Sequence, residues 1–324
     1  MSARDVIVVN TLGGALHHYA NGLAATLSAS GARVSLTDVH EPSVAGGSGA
    51  GWVRRYLLAL WAARRDGRRG GTRVIVTWPV LGHLDRVIMR VVLGRRAEAA
   101  LVVHDPHPLV RARGYGVVAR RFGALARGVR LIVHSGTAAT ALRDDCPGTE
   151  PELLPHPVVP RAVPDTVSMS SDRPVVRVLG QFKPDRDLAL LAGIGQEIGH
   201  SHRLEIVGRR WPEVDGWSVT DAFVDEDRLD ELLATADAVV VPYKRFFQSG
   251  IAIRSLEVGT PAVGPAGSSI ADLYPDDRYL GDDSVSSWCD AISSASAAER
   301  DETRAVASRA DRVCRAAWAE WLMR

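Results

Sequence analysis

Short runs of β-branched residues alternate with longer stretches rich in alanine and leucine along most of this chain. Short strands alternating with helices of about ten to fifteen residues are typical of βαβ units around a buried parallel sheet. The predicted fold class is therefore α/β. The predicted strands are Val6–Val9, Arg33–Leu36, Arg73–Thr77, Ala100–Val103, Arg130–His134, Val175–Leu179, Arg203–Val207, Ala238–Val241 and Pro261–Val263.

A proline-rich segment divides the predicted strands into a group of five and a group of four. Residues 151–174 hold six prolines and a polar run, which indicates a linker between domains. The length of 324 residues fits two domains of roughly 150 residues each. We predict a Rossmann-like domain over 1–158, a linker over 159–173, a second Rossmann-like domain over 174–300 and a terminal helix over 301–324.

Charge and cysteine usage exclude several classes of protein. The net charge of +1 argues against a general nucleic-acid binder. The charge is uneven, however, because residues 1–160 carry +9 and residues 161–324 carry −8. Either the first half faces something anionic or the arginines cluster incidentally.

The three cysteines are widely spaced, which predicts neither a disulfide framework nor a zinc ribbon and favours a reduced, cytoplasmic compartment.

Neither a signal peptide nor a membrane-spanning helix is predicted. The N-terminus enters an apolar run without a charged region or cleavage site. The longest mostly apolar stretch, residues 56–63, is far shorter than the about 20 residues that a spanning helix needs.

The first candidate site follows the first predicted strand, where the sequence reads Thr-Leu-Gly-Gly over 11–14. Gly13 and Gly14 would let a ligand approach the backbone ahead of a helix N-terminus, which favours negative charge. A plain Gly-Gly turn is the alternative. The chain has no G-x-G-x-x-G at this position, which argues against a nicotinamide-dependent dehydrogenase.

The second candidate site is the strand end at His104 and Asp105, which prolines hold in an extended conformation. His104 is suited to contact a substrate hydroxyl, with a satisfied structural histidine as the alternative. His107 is a weaker candidate. A metal site built from these three residues would need a convergence that the extended geometry makes awkward, so we expect no metal.

The third candidate site opens the second domain, where Gly180 is followed by Lys183 and Arg186. Close backbone approach at the glycine, combined with two cations, is suited to a diphosphate. A solvated basic loop, balanced by Asp185 and Asp187, is the alternative reading.

The fourth candidate site lies between the strand ending at Pro242 and the helix after Ser249. Ser249 can cap this helix, and the first-turn amides of Gly250 and Ile251 would then face an anion such as a phosphate. Lys244 and Arg245 add positive charge beside it.

Together, the order of these segments resembles the GT-B-fold retaining glycosyltransferases, in particular the group called family 4. The resemblance spans nearly the whole chain and is most specific over 242–267. It implies two Rossmann-like domains whose sheets face each other across a cleft, with the acceptor in the first domain and the nucleotide diphosphate in the second. It also implies a last helix that returns to the first domain, anchored by Trp318 and Trp321.

The sequence departs from the family pattern at three positions. The usual pair of glutamates would fall at Phe247 and Ser255. Family members also often have an arginine directly after the glycine of the diphosphate loop, and this chain has Gln181 there. Members with Gln-Ser-Gly-Val at this place are similar to the Gln-Ser-Gly-Ile of residues 248–251.

The resemblance implies metal-independent transfer of a sugar with retention, from a UDP- or GDP-type donor and without a cofactor, to a sugar, lipid-linked or small-molecule acceptor. A catalytically silent nucleotide-sugar binder and a sugar-nucleotide epimerase remain alternatives. The expected catalytic residues are His104, Lys183 and Arg186. The expected substrate contacts are Gly13, Gly14, Asp105, Gly180, Gln181, Tyr243, Gln248, Ser249, Gly250, Ile251 and Ser255.

One further segment, residues 52–65, has apolar residues at helical spacing, flanked by two pairs of arginines. Core packing explains such a stripe, and so does an interfacial helix on an anionic membrane. The chain is therefore expected in the cytoplasm, either free or at the inner face of the membrane.

Overall fold

The computed structural model describes residues 4–67, 71–95, 97–107, 112–146, 148–161, 172–244, 247–274 and 276–324. The chain divides into two compact units, Met1–Pro157 with Val313–Arg324 and Val158–Arg312. Most of the predicted linker lies outside the described residues, as does Arg245.

Unit 1 is built on a six-stranded parallel sheet in the order β2-β1-β3-β4-β5-β6. Its strands are β1 (Asp5–Asn10), β2 (Arg33–Asp38), β3 (Arg73–Val76), β4 (Glu98–Val102), β5 (Val129–Val133) and β6 (Glu152–Leu153). Its helices are α1 (His17–Ala29), α2 (Pro42–Ala45), α3 (Gly49–Asp66), α4 (Leu84–Leu93), α5 (Val117–Leu125) and α6 (Gly136–Asp145). The central strands are buried on both faces, which explains their continuous apolar runs.

Unit 2 repeats this architecture with the order β12-β11-β10-β7-β8-β9, and all these strands are parallel. Its strands are β7 (Val175–Leu179), β8 (Arg203–Val207), β9 (Ser218–Thr220), β10 (Ala238–Val240), β11 (Ala262–Pro265) and β12 (Leu280–Gly281). Its helices are α7 (Leu188–Ile198), α8 (Glu226–Ala234), α9 (Gly250–Glu257) and α10 (Val285–Ser296). The last helix, α11 (Arg300–Met323), contributes its beginning to unit 2 and its end to unit 1.

The α/β prediction is confirmed by these two parallel sheets. Because parallel strands end at one edge of their sheet, the loops that carry the candidate residues gather at the carboxyl edge of each sheet. Helix α3 divides the apolar stripe predicted over 52–65: Tyr56 and Leu60 are buried, whereas Leu57 and Trp61 are exposed. Among the described residues we find no helix with the length and apolarity that crossing a bilayer requires.

Candidate functional site

Three histidines meet at the carboxyl edge of the unit 1 sheet. His104, His134 and His156 follow β4, β5 and β6, which are neighbours in the sheet. Their ring centroids lie 5.2 to 6.5 Å apart. Tyr19 of α1 presents its ring to all three, and Trp78 stacks on His104 with centroids 5.8 Å apart. The expected contact residue His104 is therefore one member of a larger imidazole cluster.

Hydrogen bonds fix the orientation of two of these rings. His134 Nδ1 lies 2.8 Å from the carbonyl oxygen of Leu154, so this nitrogen carries the proton and donates it. His134 Nε2 is then the acceptor for the Tyr19 hydroxyl, 2.8 Å away. His156 Nδ1 donates in the same way to the carbonyl of Pro157, at 2.6 Å.

Burial keeps two of the three imidazoles uncharged. It lowers the pKa of His134 to about 3, with a smaller contribution from neighbouring His104. Burial also lowers the pKa of His156, and both other histidines add to this effect. Near neutral pH these two rings are therefore neutral imidazoles. Two neutral imidazoles close to His104 are suited to hydroxyl groups rather than to an anion.

The Gly13-Gly14 loop holds an anion that belongs to the chain itself. The buried carboxylate of Glu41 accepts from the backbone N–H groups of Gly14, at 3.3 Å, and Ala15, at 3.1 Å. A Cβ on Gly13 would come within 2.6 Å of the His40 ring. This loop has the geometry expected for anion binding, but an external anion would have to displace Glu41.

The remaining candidates after β4 are Asp105 and His107. Asp105 is half-buried. His107 is drawn to α6, where its Nε2 lies 3.1 Å from Asp145 Oδ2. In the ranges that the structure describes, no three His, Cys, Asp or Glu side chains are grouped so that they would hold a metal ion.

In unit 2, the loops after β7 and β8 support each other. Gly180 has a φ of +93°, a conformation that favours glycine. Its carbonyl accepts from Trp211 Nε1 at 2.8 Å, and the Phe182 N–H donates to the Arg209 carbonyl at 2.9 Å. The diphosphate loop predicted from the sequence is therefore fastened to a second loop that the sequence reasoning missed.

Arg186 lies inside this arrangement and is only 5% exposed. Its guanidinium carbon lies 4.8 Å from the ring centroids of both Trp211 and Tyr243. Its Nη2 donates to the carbonyl of Leu179 at 2.9 Å. Arg186 was expected to contact a diphosphate directly, and this placement suits it to hold the loops together.

The accessible positive charge is supplied by neighbours of Arg186. Lys183 is exposed on the same loop, as are Arg209 and Arg210 on the loop after β8. Arg210 has a φ of +65°, and its N–H donates to Asp221 Oδ1 at 2.7 Å. A non-glycine residue in this conformation is strained, and such strain is concentrated at functional sites. Gln181 is exposed beside Lys183.

The third loop of unit 2 leads into α9 as predicted. Ser249 is the N-cap, and its Oγ accepts from the Ala252 N–H at 3.2 Å. Gly250 is exposed, and a Cβ there would meet no atom within 4 Å. Space is therefore open at the first turn of α9. The half-buried Tyr243 and Gln248 lie on the preceding loop, and Ile251 packs partly against the core.

The positions of the expected glutamate pair are both buried. Phe247 is 6% exposed. Ser255, expected among the substrate contacts, lies in the core, where its Oγ donates to the carbonyl of Thr260 at 2.8 Å and closes the end of α9. In this position the hydroxyl of Ser255 stabilises the helix end and is not accessible to a ligand.

A scan against protein-family models finds no match for this chain. A sequence search of curated proteins finds no similar protein. Solved structures, however, match it over nearly its whole length. Sucrose-phosphate synthase from Thermosynechococcus elongatus is 14% identical with a TM-score of 0.64, over 98% of this chain and 96% of that one.

Two further matches involve trehalose phosphate. The E. coli trehalose-6-phosphate protein bound with UDP-2-fluoro glucose is 10% identical with a TM-score of 0.66, over 99% of this chain and 98% of that one. The UDP-forming trehalose-phosphate synthase from Burkholderia xenovorans, in complex with glucose-6-phosphate, is 12% identical with a TM-score of 0.62, over 99% of both chains.

This chain has the GT-B fold. The fold predicted from the resemblance is thereby confirmed. At identities of 10 to 14% the likeness establishes the GT-B fold alone, and placement in family 4 stays a prediction.

Proposed function

We propose that this GT-B chain is a glycosyltransferase that moves a sugar from a nucleotide diphosphate sugar to an acceptor hydroxyl. One observation carries the proposal: three loops of unit 2 are joined at the carboxyl edge of its sheet. Arg186 stacks between residues of the other two loops, and the Asp187 N–H donates to the Pro242 carbonyl at 2.8 Å.

The joined loops offer what a diphosphate needs. Lys183 and Lys244 are exposed cations on two of the loops, and the capped helix α9 begins at the exposed Gly250, where an added Cβ would meet no atom within 4 Å. A helix N-terminus combined with cations binds phosphate without a metal ion. We therefore assign the nucleotide diphosphate to unit 2 and propose metal-independent transfer.

Unit 1 is suited to recognise the hydroxyl groups of a sugar. The buried imidazole of His104 lies against Trp78 and Tyr19, beside two imidazoles that burial keeps neutral. Sugar rings present hydroxyls at their edges and C–H groups on their faces, so an imidazole beside an indole matches them. We propose that His104 contacts a sugar hydroxyl, with Asp105 and the Gly13-Gly14 loop adjoining it.

The proposed reaction proceeds with retention. The bond between the anomeric carbon and the diphosphate oxygen breaks, and the acceptor oxygen bonds to that carbon from the same face. The proton of the acceptor hydroxyl passes to the leaving diphosphate oxygen. Negative charge develops on the leaving diphosphate, so the protein must supply fixed positive charge there. Lys183 and the amides after Ser249 would supply it, while Arg186 would hold their loops in position.

The acceptor and the location are proposed more broadly. A sugar, a lipid-linked sugar or another small hydroxyl compound would serve as acceptor. We propose that the chain acts in the cytoplasm, where its three buried, free cysteines would remain reduced. Exposed Leu58 and Trp61 near the arginines of α3 support a peripheral contact with anionic membrane through residues 52–65.

The first test is incubation with a panel of UDP-, GDP- and TDP-sugars, followed by product analysis. Slow donor hydrolysis or transfer supports a glycosyltransferase, and an isomerised donor supports an epimerase.

With the active donor, Lys183→Ala should lower kcat at least about tenfold, since removing one fixed charge from a developing anion costs up to about 3 kcal/mol. The exposed Arg309→Ala is the matched control. Unchanged turnover in Lys183→Ala would remove Lys183 from the site.

A specific observation favours a second candidate, the silent nucleotide-sugar binder. Phe247 and Ser255 stand where family members usually carry glutamates, and both are buried. A carboxylate is therefore missing at both positions. If nucleotide sugars raise the melting temperature but none is converted, with every acceptor class tried, this candidate replaces the transferase.

A further inference from the structure

Helix α5 of unit 1 is apolar on the side that it turns away from the protein. The residues that it and its C-cap bury are small, namely Ala119, Gly123 and Ala126. A Cβ on Gly123 would lie 2.6 Å from the His83 carbonyl oxygen, so α5 approaches α4 closely on this side. Its large side chains are therefore not needed to fill the core of unit 1.

The large apolar side chains of α5 are exposed instead. Val118 is 68% exposed, Phe122 55% and Leu125 76%. Their spacing of four and three residues places them in one row along the helix. We call this row the outer stripe. Single exposed apolar residues are ordinary, but a row of three on one helix indicates a surface that a partner covers.

The stretch of chain that carries the outer stripe is strongly basic. Residues 106–143 contain seven arginines and neither aspartate nor glutamate. Arg113 and Arg127 are exposed just before and just after α5, and Arg121 is exposed within it. A partner that covers the stripe must therefore present both apolar and anionic groups.

An anionic lipid bilayer presents both. An amphipathic helix lies in the headgroup region with its apolar side chains in the acyl boundary and its arginines against lipid phosphates. A second copy that packed its own outer stripe against this one would bring a like-charged rim with it, which disfavours a symmetric dimer through α5. A purely polyanionic partner would leave the outer stripe in water.

We infer that the outer stripe and its arginines dock unit 1 on an anionic membrane surface. The neighbouring helices add to the same layer, because α4 packs against both α3 and α5. Val91 of α4 and Trp61 of α3 are also exposed. This inference concerns a surface and does not depend on the proposed glycosyl transfer.

The experiment is co-sedimentation of the full chain with vesicles of phosphatidylcholine, with or without about 30% phosphatidylglycerol. We expect binding only to the anionic vesicles. The double variant Phe122→Ser, Leu125→Ser should bind at least about tenfold more weakly, since binding scales with the apolar area buried. Phe223→Ser, which removes an exposed phenylalanine from unit 2, is the matched control and should bind as the native chain does. Trp61→Ser tests separately whether α3 takes part in vesicle binding.

A second readout tests insertion directly. The native cysteines are all buried, so Phe122→Cys or Phe223→Cys supplies an accessible thiol for a polarity-sensitive dye. The dye at position 122 should shift to the blue on anionic vesicles, and the dye at 223 should not. Equal binding to both vesicle types, binding that the double variant retains, or no binding would overturn the inference. A concentration-dependent dimer abolished by the double variant would assign the stripe to a second copy instead.

Discussion

Burial keeps His134 and His156 uncharged, and this lowers the stability of the folded chain in acid. In the unfolded chain His134 and His156 return to a pKa of about 6.5. In the folded chain burial lowers the pKa of His134 to about 3 and also lowers that of His156. Below about pH 6.5 the unfolded state therefore binds two protons that the folded state does not, so the free energy of unfolding falls as the pH falls.

Asp85, in the first turn of α4, acts in the opposite direction. Burial raises the pKa of this carboxyl to about 7, and its Oδ2 accepts from the Leu81 N–H at 2.6 Å. The unfolded carboxyl titrates near 3.8. Between these values the folded state holds a proton that the unfolded state lacks, so Asp85 gains stability as the pH falls. The proton on Asp85 therefore offsets the loss of stability in acid that one of the two histidines causes.

Replacing Asp85 with asparagine should therefore expose the full effect of the histidines. The Asp85→Asn variant would keep a side-chain acceptor for the Leu81 N–H but lose the titration. Between about pH 4.5 and 6, the slope of unfolding free energy against pH should steepen by about 1.4 kcal/mol per pH unit. Urea unfolding across this range measures it. Asp66→Asn, at the exposed end of α3, is the control, and equal slopes in both variants would contradict the prediction.

At the residue scale, the sequence identified the relevant loops better than it identified the part that each side chain plays in them. His104 followed from a polar residue at a strand end, and the same argument applied to β5 would have found His134. His156 follows β6, a strand of two residues that the sequence pattern did not predict. Glu41 and Trp211 carry no such signal. Their contacts with the loops at Gly14 and Gly180 depend on folding of segments 27 and 31 residues away, which local pattern cannot specify.

Helix caps provide a prediction at the scale of the element. Ser249 caps α9 and Ser284 caps α10, each accepting a backbone N–H at 3.2 Å in unit 2. Replacing either serine with alanine should lower the free energy of unfolding by about 1 kcal/mol. Only α9 is proposed to face the diphosphate, so only Ser249→Ala should also weaken UDP binding, several-fold.

Titration calorimetry with UDP separates these two effects of the caps. Equal UDP affinity in Ser249→Ala and Ser284→Ala would remove the α9 N-terminus from the site. Because the two variants lose the same kind of cap in the same unit, a general loss of stability cannot imitate the expected difference.

Elements were predictable where a buried strand made the apolar run continuous. The predicted Val175–Leu179 coincides with β7, which is buried along its whole length. Arg203–Val207 coincides with β8, where buried Leu204 and Ile206 alternate with more exposed residues. The strands that were missed are β6, β9 and β12, each two or three residues long at a sheet edge. Such short strands are specified by their partner strand and carry too few residues for a periodic pattern.

At the scale of the whole molecule, the alternation of strands and helices together with the proline-rich segment was enough to predict a two-part α/β chain. The charge difference between the halves did not by itself predict a function for either unit. In unit 1 the excess arginines include the exposed ones around α5 and the buried Arg73. The guanidinium carbon of Arg73 lies 4.4 Å from the centroid of the Trp321 ring. Net charge alone cannot separate these uses, because it contains no information on burial.

The two units have separate cores, and this leads to a prediction on the unfolding of the whole chain. Trp321 of α11 is buried in the unit 1 core, and Trp288 of α10 is buried in the unit 2 core. Replacing a buried tryptophan with alanine costs about 3–5 kcal/mol. Trp321→Ala and Trp288→Ala should therefore destabilise different units.

Differential scanning calorimetry on the full chain measures this difference. If the units unfold independently, each variant should lower the melting temperature of one transition by several degrees and leave the other in place. A shift of one common transition by both variants would show that the units unfold cooperatively, contrary to this prediction. Because α11 is one continuous helix of 24 residues that contributes to both units, it would then transmit the loss of one core to the other.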